Sequence, residues 1–359
     1  HRGGGPNGGA DDVAAANECI TTEKIEKIMS GIIVNPKNYT GRELETIFFR
    51  PLLSGPSVES LGIRVLYNMP VPTVVQLWDR TGNVLQSFDE ASSWGGGTKS
   101  THYQKTIPLQ RVKAENAFGA ADYFSTVFEL ITNRSDVNME DLTGTELEAA
   151  ETELFRNAIA DSIRMNLWLG DKGNEYGTGY TSFDGLLKLM TERIKEGSLH
   201  LSSNELTELL GEYSIKELFD KLIRGSSPRL KALYPEGEVA FFVSSRLYEL
   251  YEDYLDDMSM PGGYEDTQFG RGQLRYHGFP VIELNLNPAL ASSTLSHEFC
   301  IFTDRRNLVM AVNTADTPGS EVRMWYNPDE MENRQRAVFA IGCEILDDDL
   351  VSAYMDVTI

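Results

Sequence analysis

With 359 residues the chain is long enough for two or three core-forming units, and its 41% hydrophobic and 24% charged content is ordinary for a globular protein. Its net charge of −22 argues against a surface that grips nucleic acid or an anionic membrane. No run of about 18 apolar residues could span a bilayer, and the N-terminus lacks a charged-then-apolar leader pattern. The three cysteines, Cys19, Cys300 and Cys343, are odd in number and far apart; they read as reduced, mostly buried thiols with no disulfide among them.

In chain order, residues 1–10 are glycine-rich, and the first residue is not Met, which implies proteolytic trimming, truncation or a tag scar. Asp11–Ser30 has the makings of a short helix and Asn35–Gly41 of a turn. Ile32, Ile33, Ile47, Phe48, Phe49, Leu52 and Leu53 are too apolar to be left in water, so the start reads as an arm laid across another surface. Val74–Leu109 alternates with period two on either side of a glycine tip, Gly95–Gly97, next to Trp94. That is a long hairpin with too few apolar residues to stand alone. Val112–Thr132 passes from strand towards helix.

Thr143–Gly170 reads as the longest helix. Leu147, Ala150, Leu154 and Ala158, with Phe155, Ile159, Ile163 and Leu167, form one apolar stripe, of which Leu147, Leu154, Ile159 and Ile163 are the candidate core. Thr145 and Glu148 have capping-box spacing, and Gly170 ends the helix. A glycine-rich loop follows to Leu187. Phosphate loops run from a strand into a helix, whereas this one leaves a helix, so nucleotide binding is not assigned. Leu186–Glu196, Asn204–Leu210 and Ile215–Ile223 read as helices, Glu238–Val243 as a buried strand, and the segment after Ser244 as an amphipathic helix. Arg275–Leu284 reads as two strands about a Gly-Phe-Pro turn. The closing strands are Asn307–Asn313, Glu321–Asn327, Arg336–Leu346 and Leu350–Val357.

Chemical groupings are sparse. His1, His102, His200, His277 and His297 sit in different elements, none at metal-ligand spacing. Asp256–Asp257 and Asp347–Asp349 lack the alternating pattern of a calcium loop and read as solvated surface. No Ser, Cys or Thr has a nucleophile-elbow context. No catalytic residue, cofactor or metal ligand is assigned.

Four local patterns, taken in order, carry a resemblance: THYQKTIPLQRVKAENAFGAADYF; the long helix running into NLWLGDKGNEYGTGYTSFDGLL; VAFFVSSRLYELYEDYL with RYHGFPVIEL; and RNLVMAVN with VRMWYNPDEMENRQRAVFAIGCEILDDDLVSAYM. From about Arg42 onwards the chain resembles the major capsid protein of tailed bacteriophages, whose fold is shared with encapsulins. The resemblance implies an α+β fold with an N-terminal arm (1–65), an extended E-loop hairpin (66–115), a P-domain in two parts (116–182 with the spine helix, and 291–359) and an A-domain (183–290). It also implies a non-enzymatic subunit that forms hexamers and pentamers of an icosahedral shell around double-stranded DNA. Its partners would be copies of itself and other capsid, portal or decoration proteins, with DNA nearby but not read by sequence, and no membrane. Its place would be the virion, after assembly in the host cytoplasm. Candidate interface residues are Trp78, Trp94, Lys99, Tyr103, Phe48 and Phe49. Many relatives lose a leading scaffolding segment, and its absence here would make this the mature form. Some relatives cross-link a lysine to an asparagine; Lys99 or Lys105 with Asn333 would be the candidates, and that pairing is left unassigned. An encapsulin-type compartment holding protein cargo and a soluble α/β ligand-binding enzyme are the alternative readings.

Overall fold

The strand VAFFVS cannot face water on either side, and the fold follows from where its cover comes from. The structure, a computed structural model, describes residues 58, 60–79, 100–119, 146–197, 215–257, 274–314 and 322–355. The segment expected as a helix at Asn204–Leu210, most of the arm, and the hairpin tip lie outside these residues. By contacts the chain divides into two compact units. One takes the described residues within 114–155 and 322–337, and the other those within 51–113, 156–321 and 338–359.

In the larger unit β5 (Val239–Ser244) has six consecutive buried residues. It pairs in parallel with β7 (Phe279–Leu284) and antiparallel with β8 (Phe299–Asp304). With β12 (Val351–Met355) and β6 (Arg275–Tyr276) the order is β12-β8-β5-β7-β6. Unbroken apolar runs of this kind mark strands covered on both faces. Helices α3 (Ile215–Arg224) and α5 (Ser245–Asp257) cover one face. Phe219 of α3 lies 4.7 Å from Phe241 and 5.2 Å from Tyr251, ring to ring. Phe242, pointing the other way, meets Trp168 of the long helix α1 (Glu146–Leu169) at 5.6 Å.

A second group of strands belongs to the same unit. β1 (Arg64–Leu66) runs parallel to β9 (Leu308–Val312), which is antiparallel to residues 341–345 of β11 (Glu332–Ile345). In the smaller unit β10 (Arg323–Asn327) pairs with residues 332–336 of β11. β4 (Gln110–Gly119) also pairs with β11.

Several expectations need correction. The turn between β6 and β7 is His277-Gly278, both with positive φ (48° and 85°), so Phe279 and Pro280 are strand residues. This is the two-residue geometry that suits a twisted ladder. The GSSP break starts a helix: the Ser227 hydroxyl accepts from the Leu230 amide at 3.2 Å, and Pro228 opens α4 (Pro228–Ala232). β8 and the short α6 (Asn287–Leu290) had no reading, because FCIFTD is a buried run with no alternation to mark it. β11 begins four residues earlier than expected, since its first residues, Glu332–Gln335, are all polar, although Asn333 and Gln335 are buried.

The apolar stripe of α1 also differs from a single line. Ile159 and Ile163 are buried, Leu154 is half-buried, Ala158 is exposed, and the side chain of Leu147 lies outside the described residues. From Ile163 to Leu169 every residue is buried, as in a helix enclosed on all sides. Arg164 survives there because Asp161 holds it at 3.0 Å and the carbonyl of Asn285 accepts from it at 3.4 Å. Ile163→Asp should therefore bury an unmatched charge and abolish folding, a loss of more than about 4 kcal/mol. Leu154→Asp should cost less, because its site reaches water. Urea unfolding of the two variants checks the order.

Candidate functional site

β2 (Thr73–Asp79) and β3 (Thr101–Ile107) form a two-stranded sheet of their own. The register runs from Thr73↔Ile107 at the root to Asp79↔Thr101. Thr73 and Ile107 are buried, and Ile107, Leu109 and Val75 pack with Val309, Ala311, Ala340 and Leu66. Gly342 of β11 makes this root possible: a Cβ there would stand 2.3 Å from the carbonyl oxygen of Pro108. Only a residue without a side chain lets the two backbones meet.

Beyond the root, burial runs out. Trp78 is 71% exposed and Tyr103 56%. Pairing places Val74, Gln76 and Trp78 opposite Thr106, Gln104 and His102 on one face. All six are exposed, and none is an acid, lysine or arginine. Depletion of charge around aromatic residues marks the core of protein interfaces. Trp78 stands edge-on to His102, ring centroids 4.4 Å apart, so the indole is oriented before anything touches it. In the sequence His102 is one of five scattered histidines; only the strand register pairs it with Trp78. Of the other interface candidates, Phe48, Phe49, Trp94 and Lys99 lie outside the described residues. Lys105 is half-buried, and Asn333 is fully buried in β11.

The glycine-rich loop after α1 is a closure. Gly185 donates to the Gly170 carbonyl at 2.8 Å, and a Cβ on either glycine would strike backbone atoms at 2.6 Å or less. Its amides are spent internally: Asp171 to the Tyr180 carbonyl (2.8 Å), Lys172 to Asp184 Oδ1 (3.0 Å), and Tyr176 to Asp171 Oδ2 (2.7 Å). Lys188, on α2 (Leu186–Lys195), reaches both Asp171 and Asp184 at 3.0 Å. Burial by itself would lower the Lys188 pKa, but the hydrogen bonds its ammonium donates to the two carboxylates outweigh it and hold it above the ordinary lysine value. Cys343 donates to the Asp184 carbonyl at 3.1 Å, and burial pushes the Cys300 and Cys343 thiols well up. Both thiols are free; Cys19 lies outside the described residues.

The acids at 347–349 are not simply solvated. Asp348 pairs with Arg193 at 2.6 Å, and Asp347 with Arg229 at 2.7 Å while also capping the turn. Among the described residues no three His, Cys, Asp or Glu side chains gather into a metal-binding group.

No family model and no curated protein matches the chain. Solved structures do. The capsid of an empty GTA particle aligns with 87% of this chain and 100% of its own, at 14% identity and a TM-score of 0.54. This chain has the fold of phage capsid proteins and encapsulins. A chain of Gordonia phage Cozz covers 91% of it and 92% of itself, at 10% identity and a TM-score of 0.52. The holo-SrpI encapsulin of Synechococcus elongatus covers 89% and 96%, at 13% identity and a TM-score of 0.50. The capsid-type α+β fold expected from the order of parts is thus the fold observed.

Two measurements test this geometry. A raised lysine pKa in the folded state adds stability that is complete below the unfolded value of 10.5 and is lost as pH climbs through the folded one. Lys188→Met should therefore be less stable than the parent below that value, and the gap should narrow with rising alkalinity. Trp168 is fully buried and Trp325 is 39% exposed, so Trp78 should dominate iodide quenching among the described tryptophans. Trp78→Phe should lower the quenchable fraction of dissociated subunits.

Proposed function

We propose that the chain is the major capsid protein of a tailed phage, self-assembling through hexamers and pentamers into an icosahedral shell around double-stranded DNA. The observation that carries this reading is the hairpin standing out from a capsid-type fold, with one exposed, aromatic-bearing face free of acids, lysine and arginine. A two-stranded sheet is marginal in water alone. Its exposed face becomes useful once it lies on a neighbouring copy, where burial of Trp78 turns a solvation cost into interface energy. Trp94, Lys99, Tyr103, Phe48 and Phe49 are proposed for the same class of contact. The net charge of −22 suits a wall beside packed DNA, because like charges keep the genome from adhering. The reading is of a structural protein, with portal and decoration proteins as further partners.

The encapsulin-type alternative shares the fold and would hold protein cargo. Purified protein should sediment as closed particles and appear as polyhedral shells in negative stain. Only monomers or dimers at every salt concentration would overturn the shell reading. Particles from the native source should carry nuclease-protected DNA under the phage reading; particles with protein cargo and no nucleic acid would decide for a compartment.

A further inference from the structure

In the smaller unit β10 and the start of β11 present two unlike faces, because residues opposite one another in a ladder share a face. Met324 and Tyr326 stand opposite Gln335 and Asn333. That face turns inward: Asn333 and Gln335 are buried, and Gln335 Nε2 donates to Thr152 Oγ1 of α1 at 3.4 Å. The other face carries Arg323 and Trp325 opposite Arg336 and Arg334. Trp325, Arg334 and Arg336, with Glu115 and Ala117 of β4, line an open cleft of about 350 Å³.

One pairing on this face works against the ladder. Arg323 stands directly opposite Arg336, both are exposed, and like charges so placed repel. Acids are not scarce, since the chain has 54 of them against 32 lysines and arginines. Yet the carboxylates near the cleft go to the other two arginines. Glu115 holds Arg336 at 2.6 Å, and Arg334 is ion-paired with Glu330 and lies 3.5 Å from Glu332. Among the described residues Arg323 meets no carboxylate.

An exposed arginine alone is simply solvated. What sets this one apart is its place opposite a second guanidinium that is already fixed. Directly opposed residues have Cβ atoms about 5 Å apart, so the planar forks of both arginines can reach one group that carries two or more oxygens. Glu115 fixes Arg336 on one side. Trp325, its ring centre 5.9 Å from the Arg336 guanidinium, covers it on another and keeps water from weakening what it binds. We propose that Arg323 and Arg336 form a clamp for an oxyanion, a carboxylate or a phosphate group, at the end of the cleft beside Trp325. Fork geometry separates this from general attraction: such a group meets two edges at once, whereas chloride meets neither in a paired way. The clamp is independent of the shell reading.

The test compares unfolding midpoints of the purified protein in sodium chloride, acetate and phosphate at one ionic strength and neutral pH. Phosphate, or phosphate and acetate together, should raise the midpoint saturably over chloride, with half of the rise at roughly millimolar anion. A rise with both identifies carboxylates as ligands; a rise with phosphate alone identifies phosphate groups. Arg323→Gln should abolish the rise. Arg323→Glu puts a carboxylate into the clamp from within the chain, so it should raise the midpoint in chloride and remove the response to both anions. An equal rise in the parent and in Arg323→Gln would reveal only the general effect of excluded salts and would overturn the clamp. So would a parent indifferent to both anions, or an Arg323→Glu variant less stable than the parent in chloride. Each midpoint is readable on subunits or on particles, so failure here and failure of the shell reading stay distinct.

Discussion

Everything in the larger unit follows from the need to cover β5 on both sides. Six consecutive buried residues in one strand put Phe241 and Phe242 on opposite faces, and each face demands its own layer. On one side Phe219, Phe302 and Tyr276 close over Phe241, with ring centres between 4.4 and 6.3 Å away. On the other side Trp168 reaches Phe242. The last turns of α1 are therefore apolar all round, and a long helix ends inside the protein instead of along its surface. Gly170 and Gly185 then have to touch, since the chain must leave that buried helix end with no room for a Cβ.

The charged side chains trapped by this arrangement are paired. Arg164 takes Asp161, Lys188 takes Asp171 and Asp184, and Arg193 takes Glu344 and Asp348. Buried pairs of this kind add little net stability against an apolar replacement, but losing one partner is severe. They fix which residues face one another, and so the path of the loop between α1 and α2.

Much of this was legible in the residues. The long helix, the amphipathic α5 and the alternating hairpin strands carry clear periods, and the order of these parts points to the capsid fold. What stayed hidden has physical reasons. FCIFTD lacks alternation because both its faces are covered, so nothing marked β8. The stripe on α1 described its middle but not its end, where burial is decided by β5. The acids at 347–349 looked solvated because their arginine partners are more than a hundred residues away. The cleft beside Trp325 depends on β4, β10 and β11 meeting, which no local pattern reveals.

The glycine at 342 has a mechanical consequence. Where a strand backbone lies directly against the carbonyl of Pro108, the root of the hairpin has no slack in which to slide. The seven residues of each strand then act as an arm of roughly 23 Å. A turn of about 5° at such a root carries the far end roughly 2 Å, by lever geometry on that strand length. In the proposed shell, adjustment between copies meeting at unequal angles would thus fall to twist and bending along the two strands, while the hinge itself stays where the glycine puts it.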